Sequence, residues 1–182
     1  MKLIIFDINK DIIDACQNIF KNTNIECIVE RVENIKADYV VTAGNSHGIM
    51  SGGIDLAVRN WLGLQIEMTV QDEIKYGFNG FLPVGRFIVV PFRQIHANED
   101  PNTVPHLIYA PTMEEPGTKI YPEDVYYVAS KIFRFMLDKD KTLAICGLGT
   151  LTGGISPNDF AIMIYKAYID ITTSLEVQEW NF

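Results

Sequence analysis

The sequence predicts a three-layer α/β/α fold with a mostly parallel, mixed central sheet. Short apolar runs rich in β-branched residues recur along the chain, and segments with helical periodicity lie between several of them. Strands that alternate with helices favour a largely parallel sheet with helices on both faces. Two of the predicted strands run directly into glycine-containing loops, and folds of this class bind ligands beyond the carboxyl ends of their strands.

The first part of the chain predicts three strands and two helical segments. Residues 3–6 form a continuous apolar run, as in a buried strand, and residues 10–20 carry apolar side chains on one helical face. Apolar runs predict the second and third strands at residues 26–32 and 38–43. Residues 54–76 predict a helix in two pieces, because a glycine near the middle interrupts the helical pattern.

The second part of the chain continues the same alternation. Strands are predicted at residues 87–91 and 106–110, and a polar loop at residues 94–104 joins them. Residues 122–138 have apolar side chains at helical spacing and predict a long helix. Two elements complete the pattern: a core strand at residues 143–146 and a helix that the pair Ser156-Pro157 caps, ending at about residue 168.

The length and composition fit one domain that needs no disulfide or metal support. The chain has 182 residues, of which 48% are hydrophobic, and we expect residues 1–182 to form a single domain. Its three cysteines are scattered without CxxC spacing, which is typical of a reducing compartment. His96 and His106 have no Cys, Asp or His at ligand spacing. We therefore expect no metal and no cofactor.

The charge of the chain restricts its partners. A formal net charge of −8 argues against direct nucleic-acid binding through a basic face. A nucleotide ligand remains compatible with this charge, because backbone N–H groups can hold phosphates without Lys or Arg. No apolar stretch approaches the roughly 18 residues of a membrane helix, and residues 3–6 are too short for a signal-peptide core. We expect no membrane partner and a cytoplasmic location; the oligomeric state stays open.

The first glycine loop follows the third predicted strand and enters a helix. Gly52 and Gly53 allow a ligand to approach the backbone closely and allow positive φ, and free N–H groups at the helix start suit a diphosphate. A tight strand-to-helix turn is the alternative interpretation. Asn45 and Asp55 flank the loop and favour a ligand site, since neither residue is needed merely to turn the chain.

The second glycine loop leaves the strand at residues 143–146. Residues 147–154 contain four glycines and two threonines. The loop is not a Walker A motif, because no Gly-Lys-Ser/Thr follows, and it lacks the context of a dinucleotide GxGxxG motif. Its composition and position predict a second phosphate cradle that faces the first.

These motifs resemble the macrodomain family, whose members bind ADP-ribose. The family's first loop runs Asn-Ala-Ala-Asn, then a glycine run, a hydrophobic residue and Asp. The matching segments here are Thr42-Ala43-Gly44-Asn45 and Ser51-Gly52-Gly53-Ile54-Asp55, with Asn45 and Asp55 ten residues apart as in the family. Gly-Asp-Ile near the family's N-terminus matches Phe6-Asp7-Ile8. Residues 82–86 and 108–113 further resemble a bacterial and phage branch of macrodomain-like proteins.

The resemblance implies how a ligand is held. Asp7 would accept a hydrogen bond from the adenine amino group, and Ile8 would supply a neighbouring backbone N–H. The two loops would hold the rest of the ligand through Gly44, Gly52, Gly53, Ile54, Gly149, Thr150, Leu151, Thr152, Gly153 and Gly154. Thr42 and Ser51 replace an Asn and a Gly of the family pattern. Leu151 replaces a Gly, and Gly153 stands where the family has an aromatic residue over the distal ribose.

Asn45, Asp55 and His47 are the candidate catalytic residues. In hydrolytic macrodomains the Asn and Asp orient the distal ribose and a water, and a carboxylate can act as general base. His47 is a candidate general acid or base near neutral pH. The alternatives are structural: Asn45 in a left-handed turn, Asp55 stabilising a helix N-terminus and His47 as an exposed loop residue. Cys146 is interpreted as a small core residue rather than a nucleophile.

The sequence therefore predicts a module that binds ADP-ribose or an ADP-ribosylated substrate. It leaves open whether the chain is an ADP-ribosyl hydrolase, an ADP-ribose-1″-phosphate phosphatase or a non-catalytic ADP-ribose reader. An interaction or phage assembly protein that retains the fold is a further alternative.

Overall fold

The computed structural model describes residues 1–92 and 105–178, with side chains described up to residue 173. The polar loop predicted at residues 94–104, with His96, lies outside the described residues. In the described ranges, six strands form one sheet and five α-helices surround it. The strands are β1 Lys2–Asp7, β2 Glu26–Val29, β3 Tyr39–Asn45, β4 Ile88–Pro91, β5 His106–Met113 and β6 Thr142–Ile145. The helices are α1 Lys10–Phe20, α2 Gly53–Leu62, α3 Leu64–Phe78, α4 Pro122–Met136 and α5 Pro157–Gln178.

The sheet is mixed and mostly parallel, which confirms the predicted fold class. Its strand order is β2-β1-β6-β3-β5-β4, and only the pairing of β4 with β5 is antiparallel among the described strands. The carboxyl ends of β1, β6, β3 and β5 therefore lie side by side along one edge. Both glycine loops leave the sheet at this edge, from β3 and from β6.

Helices cover both faces of the sheet because its strands are apolar on both sides. Leu3, Ile4, Ile5 and Phe6 are all buried, although successive side chains of a strand point to opposite faces. One helical layer contains α1, α4 and α5, with α5 packed against the other two; in the other layer α2 packs against α3 and β3. None of the helices in the described ranges is long and apolar enough to cross a bilayer.

The three largest differences between the predicted and observed element ends each follow from a neighbouring element. Strand β2 ends at Val29, because its partner β1 ends opposite it at Asp7, and the chain then forms a 3-10 turn at Val32–Asn34. Strand β5 continues to Met113, because β3 extends far enough to pair with it. Helix α5 continues past residue 168 because it packs on α1 and α4. Ile171 in this extension is buried.

Candidate ligand-binding cleft

Two adjoining cavities open at the carboxyl edge of the sheet. The first has a volume of about 450 Å³ and the second of about 350 Å³. Both volumes lie in the range of small-molecule sites. The cavities share the lining residues Asp7, Gly53, Ile54, Cys146 and Leu151, so they form one continuous cleft.

The cleft crosses the sheet edge in the order of the strands. The first cavity lies at the ends of β1 and β2, where it is also lined by α2 residues Ala57, Asn60 and Trp61. The second cavity lies at the ends of β6, β3 and β5, between the two glycine loops and the segment that follows β5. The start of α2, at Gly53 and Ile54, lies where the two cavities meet.

Most of the residues predicted to bind a ligand line this cleft. Asp7 and Ile8 line the first cavity, and Ile8 is 70% exposed there. The second cavity is lined by Asn45 and Asp55 and by Gly44, Gly52, Gly53, Ile54, Gly149, Thr150, Leu151, Thr152 and Gly153. Gly154 and His47, both in the described part of the chain, line neither cavity.

The carboxylate of Asp7 ties the ends of two strands together. One oxygen accepts a hydrogen bond from the backbone N–H of Asn9 at 2.9 Å, and the other accepts from Gly147 at 3.2 Å. A side chain at position 147 would clash, because its Cβ would lie 2.7 Å from that second oxygen. Each carboxylate oxygen can accept a further hydrogen bond. Asp7 therefore keeps acceptor capacity where the two cavities join.

The side chain of Asn45 holds the first loop in shape. Its amide oxygen accepts hydrogen bonds from the backbone N–H groups of His47 and Ile49, and its amide nitrogen donates to the carbonyl of Ile49 at 2.7 Å. The left-handed conformation weighed for Asn45 is wrong, because the only non-glycine residue with positive φ in the described ranges is Asn79. Of the two loop glycines expected to permit positive φ, Gly53 has φ +55° and Gly52 is extended.

Asp55 is buried in the first turn of α2, at the wall of the second cavity. Its side chain is 4% exposed, and the hydroxyl of Thr42 donates a hydrogen bond to it at 2.5 Å. Burial raises the pKa of Asp55 to about 8; the Thr42 hydrogen bond lowers it, and nearby Glu67 raises it. Glu67 itself accepts hydrogen bonds from the backbone N–H of Met50 and from Arg59. A network of buried polar groups therefore underlies the first loop.

The side chain of His47 points away from the cleft. Its Nε2 lies 2.9 Å from a carboxylate oxygen of Glu115, and its ring packs edge-on against Phe81. The Glu115 contact connects the first loop to the segment after β5, and the Phe81 contact connects it to the segment between α3 and β4. His47 is thus close to Asn45 in sequence but does not reach the cavity that Asn45 lines.

The second loop folds tightly on itself, and this explains its missing aromatic residue. A Cβ at Gly153 would lie 2.5 Å from the carbonyl oxygen of Gly149, so no side chain fits at position 153. Gly149 has φ +69°, and its carbonyl accepts a hydrogen bond from Ile155. Leu151 instead projects from the loop, 64% exposed, and lines both cavities.

Backbone N–H groups are the available donors at the centre of the cleft. The first N–H groups of any α-helix lack intrahelical partners, and Gly52, the N-cap of α2, supplies no side chain to cap them. Gly53 and Ile54 carry two of these groups and line both cavities. No Lys or Arg is among the described residues that line the second cavity. An anion there would be held by the backbone and the helix dipole.

Several lining residues were not identified from the sequence. Ala57, Asn60 and Trp61 share with Ile54 the face of α2 that borders the first cavity, and their helical spacing was a usable signal. Glu30, Arg31 and Glu33 follow β2 and carry no motif. In the second cavity the missed residues are Ala43, Ile49, Ser51, Thr112, Met113, Pro116, Gly117 and Gly147.

Cys146 lines both cavities yet is buried, which confirms its interpretation as a core residue. Burial raises the pKa of its thiol far above the ordinary value, and the acidic side chains of Asp7 and Asp55 raise it further. The thiol therefore stays protonated at neutral pH, and the thiolate that a nucleophile requires is not formed.

Comparison with known proteins assigns the fold. No family model matches the chain. An Aquifex aeolicus (strain VF5) protein described as uncharacterized is 28% identical over 134 residues, which are 72% of this chain and 73% of that protein.

Solved macrodomain structures resemble the chain closely in shape. The macrodomain of Mycobacterium tuberculosis DarG has a TM-score of 0.65 and 18% identity, covering 80% of this chain and 90% of its own. The Oceanobacillus iheyensis macrodomain with ADP has a TM-score of 0.58 and 15% identity, covering 82% and 90%. The Trypanosoma brucei macrodomain in complex with ADP-ribose has a TM-score of 0.58 and 14% identity, covering 79% and 55%. The chain therefore has the macrodomain fold that its sequence resemblance predicts.

Proposed function

We propose that this chain binds ADP-ribose, or the ADP-ribosyl group of a modified substrate, in the cleft formed by the two cavities. The observation that carries the proposal is the continuity of the cleft across five strand ends, with both glycine loops and the start of α2 in its wall. The structures with ADP and with ADP-ribose named above support a nucleotide ligand for the same fold.

The first cavity suits the adenine end of the ligand. Asp7 has unused acceptor capacity for the adenine amino group, as its resemblance to the family motif implies. Phe6, Ile54 and Trp61 give the cavity an apolar wall against which a base can pack. Ile8 borders the same cavity and is exposed, so we assign its backbone N–H to the base.

The centre of the cleft suits the diphosphate. Gly53 and Ile54 carry helix N-terminal N–H groups, and the second loop faces them with Gly149, Thr150 and Thr152. Because no cationic side chain lines the second cavity among the described residues, these backbone donors carry the binding of the negative charge.

Titration calorimetry of the protein with ADP-ribose tests the proposal, with Gly52→Val as the informative variant. A Cβ at Gly52 meets nothing within 4 Å and the backbone there is extended, so the variant should fold normally. A branched side chain at this position would occupy ligand space in the second cavity, and we expect affinity to fall by at least about tenfold.

Gly77→Val is the matched control. Gly77 also has open space around it, but it lies near the end of α3 and away from the cleft. It should leave ADP-ribose affinity unchanged. An absence of ADP-ribose binding by the unaltered protein would overturn the proposal and favour the interaction or phage assembly alternative.

Hydrolysis is the second candidate function, and the position of Asp55 favours it. Asp55 lines the second cavity beside Asn45, and its pKa of about 8 is close to that of an effective general base at physiological pH. In this role Asp55 would take a proton from a water that attacks the anomeric carbon of the distal ribose. The bond from that carbon to the modified group of the substrate breaks, and the released group leaves with the bonding electrons and takes up a proton. His47 lines neither cavity, so its role as a general acid or base stays a prediction without geometric support.

Turnover assays separate the enzyme from the reader. The substrates are a mono-ADP-ribosylated protein, for an ADP-ribosyl hydrolase, and ADP-ribose-1″-phosphate, for a phosphatase. Binding of ADP-ribose with no turnover of either substrate would assign the chain as a reader.

The cytoplasmic location stays a prediction. We propose that residues 1–182 act as one domain, because β1 pairs with β6 and α5 packs on α1.

A further inference from the structure

Thr112 has a buried hydroxyl with no hydrogen-bond partner. The residue is 1% exposed and lines the second cavity. Its Oγ1 is one of two buried side-chain nitrogen or oxygen atoms that have no hydrogen-bond partner in the described ranges. The other is Oγ of Ser46, which lines neither cavity. Burying a hydroxyl without a hydrogen bond costs free energy, so a polar group beside a cavity is well placed to bind what enters it.

A β-bulge sets the position of Thr112. Strand β5 pairs with β3 so that Gly44 is opposite Pro111 and Asn45 is opposite Met113, which leaves Thr112 as an extra residue without a partner. Contact resumes beyond the bulge, since the backbone N–H of Ser46 donates to the carbonyl of Met113. Bulges of this kind occur beside functional sites, where they redirect one side chain.

The strand order places Thr112 at the end of the cleft opposite Asp7. Asp7 ends β1 and Thr112 lies at the end of β5, with β6 and β3 between them. Three strand spacings separate the two residues across the sheet, or roughly 14 Å. With adenine at Asp7 and the diphosphate at the start of α2, the group beyond the diphosphate reaches the β5 end.

Two groups that could hold this part of the ligand are engaged or missing. Position 153 cannot carry the aromatic residue that covers the distal ribose in the family, because its Cβ would clash with Gly149. The side-chain amide of Asn45 is hydrogen-bonded within its own loop. We propose that the hydroxyl of Thr112 binds a hydroxyl of the distal ribose and so distinguishes ADP-ribose from ADP. This inference rests on the proposed function.

Calorimetric titration of Thr112→Val with ADP-ribose and with ADP tests the inference. Valine keeps the shape of threonine and removes only the hydroxyl, so we expect about tenfold weaker binding of ADP-ribose. Affinity for ADP, which has no distal ribose, should be unchanged. Thr112→Ser should restore ADP-ribose affinity to within about threefold of the unaltered protein, because it returns the hydroxyl.

Ser46→Ala is the matched control, because it removes the other unpartnered hydroxyl at a position outside the cleft. It should change neither affinity. Suppose that the unaltered protein binds both nucleotides. The role of Thr112 is refuted if Thr112→Val binds each nucleotide as tightly as the unaltered protein does, or if its affinity for both falls by the same factor. The proposed function stands in either case. If the unaltered protein binds neither nucleotide, the proposed function and this inference are both overturned.

Discussion

The phenolic hydroxyl of Tyr109 exchanges two hydrogen bonds with the backbone of Asn45. It donates to the carbonyl oxygen at 2.9 Å and accepts from the N–H at 3.0 Å, and the tyrosine is fully buried. The ring lies where a side chain at Gly44 would be, so β3 can approach β5 only with glycine at that position. The first glycine loop therefore starts from a point fixed by a residue 64 positions away in sequence.

Replacing Tyr109 with Phe should destabilise the protein. The substitution removes the tyrosine partner of the buried Asn45 N–H and one of two hydrogen bonds to the Asn45 carbonyl, which also accepts from the N–H of Gly48. We expect a loss of about 1–3 kcal/mol in the free energy of unfolding. Urea denaturation followed by circular dichroism measures this loss. Tyr126→Phe is the control, since its hydroxyl binds Asp170 at the surface, and the expected change is within about 0.5 kcal/mol. Equal effects of the two substitutions would contradict the anchoring role of Tyr109.

The stability of the protein should fall as pH rises from about 5 to 8, in part because of Asp55. Its pKa is about 8 in the folded protein, against about 3.9 in an unfolded chain, so the folded state holds a proton that the unfolded state releases in this interval. The stabilisation is present at low pH and is lost as pH approaches 8, with a slope of up to about 1.4 kcal/mol per pH unit.

Asp55→Asn should remove this contribution, because asparagine is neutral and can still accept the hydrogen bond from Thr42. Urea denaturation at several pH values gives the slope for each protein. Asp72→Asn, on the exposed side of α3, serves as control and should keep the slope of the unaltered protein. A steep slope that persists in Asp55→Asn would show that another group is responsible.

A hydrolytic reaction with Asp55 as general base should accelerate with pH. Only the ionised carboxylate accepts a proton from water, so kcat/KM should rise roughly tenfold per pH unit below a pKa of about 8 and level off above it. Initial rates on mono-ADP-ribosylated protein between pH 6 and 9 measure the profile. Asp55→Asn and Asn45→Ala should abolish turnover, and His47→Ala should leave it largely intact. A rate independent of pH would remove Asp55 from the chemistry.

Local patterns in the sequence were sufficient for much of the fold. Helix α1 has the predicted bounds, and the break in the second helical segment occurs at Gly63 as predicted. Both results depend on residues close in sequence, where helical periodicity and glycine act directly. Asp7 and the loop glycines other than Gly154, which the family resemblance singled out, line a common cleft; their role in binding stays a prediction.

The features that the sequence did not predict depend on contacts between distant segments. Thr112 has no pairing partner on β3 because the register between β3 and β5 shifts by one residue. Such a shift produces no local pattern in the amino-acid sequence. His47 adjoins Asn45 in a polar loop, but its side chain is held by Glu115, 68 residues later. Gly153 matched a position where the family has a ring, and only the folded loop reveals that its own backbone fills that space.

The insertion of β6 between β1 and β3 affects the order in which the cleft forms. Strand β1 pairs with β6, which lies about 140 residues later in the chain, so the two halves of the sheet join only after β6 is in place. Such non-local pairing is characteristic of slowly folding chains. During synthesis, a nascent chain that has not yet emerged beyond residue 147 has neither the second loop nor the amide that Asp7 engages. The cleft can therefore bind a ligand only late in folding, and a nucleotide that binds it stabilises the completed sheet.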